Sequence, residues 1–110
     1  MTAIIQVLLA RLESGNDGPL LRFALGKGLL DANDAKRALP HLREAVRQDP
    51  DYAAAWAQLG RCELALGAEA AAIEAWSRGR DAARLHGEVQ AERQISVWLR
   101  RAVARNAGNA

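Results

Sequence analysis

Lys27 and Arg61 stand 34 apart in the sequence, each in a stretch whose apolar residues recur every three or four positions. If the chain between them folds back on itself in helices, the two cations share one wall. Paired cations suit a carboxylate, to which they donate charge-assisted hydrogen bonds. Phe23 lies one helical turn from Lys27 and, with Leu20, supplies an apolar floor beside the charges. The matching ligand is a peptide carrying an acid group next to an apolar side chain. Asp31, Gln58 and Leu64 fall on the same side at 100° per residue, opposite the packing side defined by Leu25, Gly26, Trp56, Leu59 and Gly60. The competing reading makes Lys27 and Arg61 ordinary solvated charges on amphipathic helices. Peptide binding by a Lys27→Glu and Arg61→Glu pair separates the two.

Other reactive side chains suggest less chemistry. Cys62 is the single cysteine, so no disulfide can form within the chain, which fits a reducing compartment. It sits two residues past Gly60 in a packed helix and reads as an inert buried thiol. His41 and His86 have no second ligand at metal spacing. No Ser/His/Asp arrangement, phosphate loop or paired carboxylate presents itself, so neither enzymatic activity nor a cofactor is expected. Arg78, Arg80, Arg84, Arg93, Arg100, Arg101 and Arg105, set against Asp81, Glu88 and Glu92, make the C-terminal third basic. A partner-docking surface and a solvated face both account for that. Nucleic acid is disfavoured: the aromatic interleaving of single-strand binders is missing, since Trp98, like Trp56 and Trp76, is assigned to the core. The balance of 15 basic and 13 acidic residues, a net +2, is that of an ordinary soluble surface.

These residues must be positioned by helices. Half of the 110 residues are hydrophobic and a quarter are charged, as in a single globular domain. Alanine is abundant while Thr, Val, Phe and Tyr are scarce, which favours helix over sheet. The apolar run over 4–10 is too short to span a bilayer and lacks a basic start; a cytoplasmic protein, bacterial in character and without a membrane partner, is expected. Periodicity and punctuation predict six helices, at about 2–13, 19–31, 35–48, 52–66, 68–86 and 88–105. In the first, Ile4, Val7, Leu8 and Leu12 form the packing face. Gly15 suits a left-handed cap and Pro19 a first turn. Asn33-Asp34 offers an N-cap, and Asp49-Pro50 ends the third helix. Pro40 lies within that helix and is expected to kink it rather than end it. The sixth helix carries Ala91, Ile95, Trp98, Leu99 and Ala102 at helical spacing.

The strongest signal is an internal repeat in which equivalent positions lie 34 apart. Leu25-Gly26 recurs as Leu59-Gly60, Ala38 as Ala72, Leu42 as Trp76 and Ala45 as Gly79, and the turns near Asn33 and Gly67 keep the same interval. Glycine at 26 and 60 lets a paired helix approach closely, and alanine at 38 and 72 allows the same from the other side. Ile4 and Leu8 precede Ala38 and Leu42 by the same interval, so the opening helix looks like the second half of a preceding unit.

The segment 48–60, with Asp49-Pro50, then Trp56 and Leu59-Gly60, resembles the junction between two tetratricopeptide repeats; Gly67, Ala72 and Trp76 match the turn glycine, small residue and aromatic that follow. The resemblance covers about 19–86. It departs from the family pattern in four ways: Leu29 and Glu63 replace a tyrosine, Arg22 a tryptophan, Gly79 a small alanine, and Arg84 the closing proline. The last suggests a longer fifth helix. The resemblance implies an all-α superhelix: an N-terminal helix (1–15), two helix-turn-helix repeats (19–52 and 53–86) and a capping helix (87–106). It also implies a protein–protein interaction module, a scaffold, adaptor or co-chaperone-like protein. Its groove is lined by the first helix of each pair, hence by Leu20, Phe23, Lys27, Asp31, Gln58, Arg61 and Leu64. Phe23 and Lys27 stand where chaperone-tail binders carry lysine and asparagine, so a chaperone tail is not the expected ligand. A protein or peptide partner, acidic in character, is. The alternative is a self-associating unit that buries its stack ends in a homodimer.

Overall fold

The computed structural model describes residues 2–108. Six helices follow one another: α1 (Ala3–Glu13), α2 (Pro19–Asp31), α3 (Ala35–Gln48), α4 (Ala53–Ala65), α5 (Glu69–Leu85) and α6 (Val89–Gly108). No strand occurs among the described residues. Helix α3 continues through Pro40 and is opened by Asp34, whose carboxylate accepts from the Arg37 backbone N–H at 3.3 Å.

The turns explain why neighbouring helices fold back. Asn33 (φ 62°), Gly67 (φ 81°) and Gly87 (φ 67°) all adopt the left-handed conformation. In each case the next residue donates its N–H to a carbonyl five back: Asp34 to Leu29, Ala68 to Glu63 and Glu88 to Ala83, all at 2.8 Å. This closure satisfies the orphan carbonyls of a helix end. The α2–α3 and α4–α5 turns thus close at equivalent positions of the repeat, and the α5–α6 turn uses the same device.

The repeated glycines occupy equivalent contacts. A Cβ on Gly26 would overlap the Leu42 side chain, and one on Gly60 would overlap the Trp76 indole; Leu42 and Trp76 are themselves equivalent in the repeat. Trp76 is pinned there, because its indole N–H donates to the Ala57 carbonyl at 3.0 Å inside the core. Trp56 is held by a donation to the Pro50 carbonyl at 2.7 Å, which ties α4 to the loop before it. Gly79 shows why the second repeat lacks an alanine: a Cβ there would meet the Trp56 Cβ at 2.8 Å and the Ile95 Cδ1 at 3.3 Å. Three helices converge on that point. Helix α5 has 17 residues against 14 for α3, the longer helix expected from the loss of the closing proline.

Helix α1 packs on a different face from the one expected. Ile4 and Val7 are 60% and 49% exposed, whereas Ile5 is buried and Leu8, Leu9 and Leu12 are partly buried against the core. The reason lies in the stacking. Ile5 rests near Gly28, where an added Cβ would lie 3.3 Å from its Cγ1. Cys62, the repeat equivalent of Gly28, reaches α3 in the same way, its Sγ 3.1 Å from the Ala35 carbonyl oxygen. So α1 packs on α2 as α3 packs on α4. The side of α1 that corresponds to the α2-facing side of α3 has no helix against it among the described residues. Cys62 itself is fully buried, and burial pushes its thiol pKa up, as expected of an inert thiol.

One charge is out of place in this core. Glu63 is only 7% exposed and its Oε1 has no hydrogen-bond partner among the described residues. Burial raises its pKa above the ordinary 4.5, against a partial offset from Arg43. Its counterpart in the first repeat is Leu29, also buried. Because the folded protein binds this proton more tightly than the unfolded chain, the penalty is absent below pH ~4.5 and grows as pH rises through the folded value. Replacing Glu63 with leucine should therefore stabilise the protein at pH 7 by about 1–2 kcal/mol. The gain should shrink toward pH 4. Thermal melts of both proteins across that range check the sign.

Candidate functional site

Helices α2, α4 and α6 form one layer and α1, α3 and α5 the other. Among the described residues, contacts between alternate helices occur only within the first layer, α2 with α4 and α4 with α6. The layers therefore curve toward that side, and the exposed faces of α2, α4 and α6 line the concave surface.

The residues expected on this surface divide into two groups. Lys27, Asp31, Gln58 and Arg61 come together as a polar wall. The Asp31 carboxylate receives Lys27 Nζ at 2.9 Å on one oxygen and lies 3.7 Å from Arg61 Nη1 on the other. Arg61 also donates to the Gln58 Oε1 at 2.6 Å. The two cations are neighbours, as expected, but Asp31 sits between them and neutralises part of their charge. Phe23 is half-buried, its ring 5.1 Å from that of Tyr52. Leu20 is 70% exposed. Leu64 lies beyond Arg61, in an adjoining apolar region.

That region is the better-formed site, and sequence reasoning missed most of it. Leu64, Trp76 and Trp98 make its floor, with the two indoles tilted and 5.8 Å apart. Two adjoining depressions of ≈ 330 and ≈ 170 Å³ open over these three residues. Arg61 borders the first, and Arg101 and Arg105 the second. Trp98 is therefore not a core residue: it is partly buried and lines the groove, because it lies at the edge of the apolar stripe of α6 rather than at its centre, where Ile95, Leu99 and Ala102 are buried. Among the described residues neither Arg101 nor Arg105 has an ion-pair partner within 4 Å. The helical spacing of Trp98, Arg101 and Arg105, one turn apart in succession, is the signal that could have found this wall.

Several charges elsewhere are consumed by the fold. Arg22, which replaces a tryptophan, grips Asp17 with Nε and Nη2, each at 2.9 Å. Its Nη1 approaches His41 Nδ1 at 3.2 Å. Gln48 bridges Asp17 and Glu44 at 3.1 and 3.0 Å. The hydrogen bonds from Arg22 and Gln48 hold the Asp17 carboxyl far below the usual range. Those from Arg47 and Gln48 bring Glu44 to about 2. Burial keeps His41 below its ordinary value. The cluster clamps the α1–α2 loop to α3 and leaves nothing directed at a ligand. Arg78 stacks over the Trp56 ring at 5.5 Å, and His86 lies 3.4 Å from Asp51. No group of three His, Cys, Asp or Glu side chains able to hold a metal occurs among the described residues, and none of their helices is long and apolar enough to cross a membrane.

This curved two-layer stack, with its repeated glycines and turns, has counterparts among known proteins. Residues 29–94 match the profile of a family described as tetratricopeptide repeat. The chain belongs to the tetratricopeptide repeat family. A relative in Pseudomonas aeruginosa, the TPR repeat-containing protein PA0015, is 48% identical over 98 residues, which span 89% of this chain and 93% of the relative. Among solved structures, protein BPP2914 from Bordetella parapertussis superposes with a TM-score of 0.81 at 41% identity, covering 97% of this chain and 93% of that one. A tetratricopeptide repeat domain protein from Salinibacter ruber gives 0.75 at 28% identity in its crystal form, over 80% and 98% of the two chains. Tetratricopeptide repeat domains are in general protein–protein interaction modules rather than catalysts.

Proposed function

We propose that this tetratricopeptide repeat protein is an adaptor that binds an acidic peptide segment of a partner protein in the concave groove between α4 and α6. The observation that carries the reading is the pairing of an apolar floor, Leu64, Trp76 and Trp98, with two arginines, Arg101 and Arg105, that have no ion-pair partner among the described residues. An apolar side chain of the peptide fills the floor, and an adjacent carboxylate takes hydrogen bonds from the arginines. Lys27, Arg61 and Gln58 extend the polar wall toward α2, with Phe23 and Leu20 at its far end. Asp31 limits their pull on an acid, so the arginines of α6 contribute more. A cytoplasmic setting fits the single free thiol.

Reversing Arg101 and Arg105 to glutamate should weaken binding of acidic, aromatic-containing peptides about tenfold or more. Reversal of Arg78, which lies over Trp56, should leave it nearly unchanged. Fluorescence anisotropy with a small peptide set checks this; equal affinities for the wild type and the Arg101/Arg105 variant would remove the reading.

Self-association through the stack ends is the second reading, favoured by the exposed Ile4 and Val7. Arg11 shares that face of α1, and the outer face of α6 carries Arg93 and Arg100, so end-to-end stacking of two copies brings like charges together. Sedimentation at low and high salt distinguishes the readings.

A further inference from the structure

Helix α6 has a second working side. At 100° per residue its outer face, pointing away from Ile95 and Ala102, presents Val89, Arg93, Val97 and Arg100, with Val103 at its edge. Val89 and Val103 are 54% and 47% exposed. A depression of ≈ 470 Å³ runs along Val89, Glu92, Arg93, Ser96, Val97 and Arg100. A second, of ≈ 530 Å³, continues from Arg100 and Val103 to Ile73, Ser77 and Arg80 of α5. Together they make one trough along the free side of the α5–α6 pair. Its floor is apolar, and no described residue covers it.

The charges along this trough are one-sided. Glu92 is held by Arg84 at 2.9 Å and Arg80 by Asp81 at 3.3 Å, whereas Arg93 and Arg100 have no ion-pair partner within 4 Å among the described residues. They are seven residues apart, which places them on the same face about 10.5 Å from each other along the axis. Gln90, Gln94 and Ser96 share this face but carry no charge, so Arg93 and Arg100 set its sign.

We infer that the trough is a docking surface for one amphipathic helix of a partner protein, whose apolar stripe covers Val89, Val97 and Val103 and whose flanking carboxylates, seven residues apart, pair with Arg93 and Arg100. Such a helix adds to the stack as a further layer, because each helix pair in this fold already buries its stripe against the next. A second copy of this chain does not supply it: the exposed apolar face of α1 carries Arg11 and no acidic residue. The surface is distinct from the concave groove, since Trp98, Arg101 and Arg105 point to the other side of α6.

The test uses a labelled synthetic helix of about 21 residues, three heptads with one leucine stripe and glutamates at seven-residue spacing, and a twin with lysine in place of glutamate. Wild-type protein should bind the glutamate helix and not the lysine helix, with affinity falling as salt rises. Arg93→Glu with Arg100→Glu should weaken the glutamate helix about tenfold or more and gain the lysine helix. Arg78→Glu, at a residue that lies over Trp56 and lines neither the trough nor the groove, should leave it unchanged. All three arginines are exposed, and circular dichroism confirms that the variants fold. Equal binding by the wild type and the Arg93/Arg100 variant, or loss only in the Arg101/Arg105 variant, overturns the inference. So does binding to vesicles of anionic phospholipid that depends on Arg93 and Arg100 while the glutamate helix does not bind.

Discussion

Truncating Trp76 to alanine should cost about 3–5 kcal/mol of stability. The side chain is 2% exposed and fills the gap between α4 and α5, against Gly60 on one side and the Trp98 ring on the other. Two losses add. The cavity is as large as an indole, and the Ala57 carbonyl loses the N–H it accepts at 3.0 Å. In a domain of this size a change of that order removes much of the margin between folded and unfolded chains. Thermal or urea unfolding of the purified variant measures it. A cost below about 1 kcal/mol would show that the α4–α5 pair does not depend on this contact.

Replacing Gly60 with alanine is the second large effect, and its sign is the informative part. On an exposed helix the change stabilises, since alanine is the better helix former by about 1 kcal/mol. Here the added Cβ overlaps the Trp76 indole, and the ring cannot swing aside without giving up its buried hydrogen bond. The expected result is a loss of about 2–3 kcal/mol. In a Trp76→Ala background the obstruction is gone, so the same substitution should become neutral or stabilising. That reversal is a double-mutant signature of direct contact. Stabilisation by Gly60→Ala in the otherwise wild-type protein would contradict the close helix approach on which the repeat rests.

Much of this was legible in the sequence for a physical reason: a repeat forces equivalent residues into equivalent contacts. Gly26 and Gly60, Leu42 and Trp76, and Asn33 and Gly67 each keep the repeat interval, and each pair meets equivalent neighbours or adopts the same turn. The reading weakened where the repeat ended. Helix α6 begins at Val89, two positions later than the interval from α2 to α4 would place it. No register therefore transferred a role to Trp98, and its place at the edge of an apolar stripe looked like the centre. At the other end, the doublet Ile4-Ile5 leaves the buried face of α1 undetermined by one residue, which is about 100° of rotation. Only the packing against Gly28 selects Ile5.

The groove itself was half legible. The cations Lys27 and Arg61 were placed on one wall by the interval between them, and they lie on either side of Asp31. What spacing could not convey is that this carboxylate already occupies them, or that Arg101 and Arg105 of α6, with no ion-pair partner among the described residues, face an apolar floor one helix further on. Glu63 was equally hidden: a glutamate in helix register reads as solvated until the neighbours that bury it are known.

The concave groove is tested most directly by the three indole N–H signals in a proton–nitrogen correlation spectrum during titration with an acidic, aromatic-containing peptide. The Trp56 and Trp76 indoles donate to backbone carbonyls, whereas Trp98 lines the open groove. The predicted result is a saturable shift of the Trp98 signal, smaller movement at Trp76 and none at Trp56, abolished by reversing Arg101 and Arg105. A peptide that binds while Trp98 stays still would contradict it.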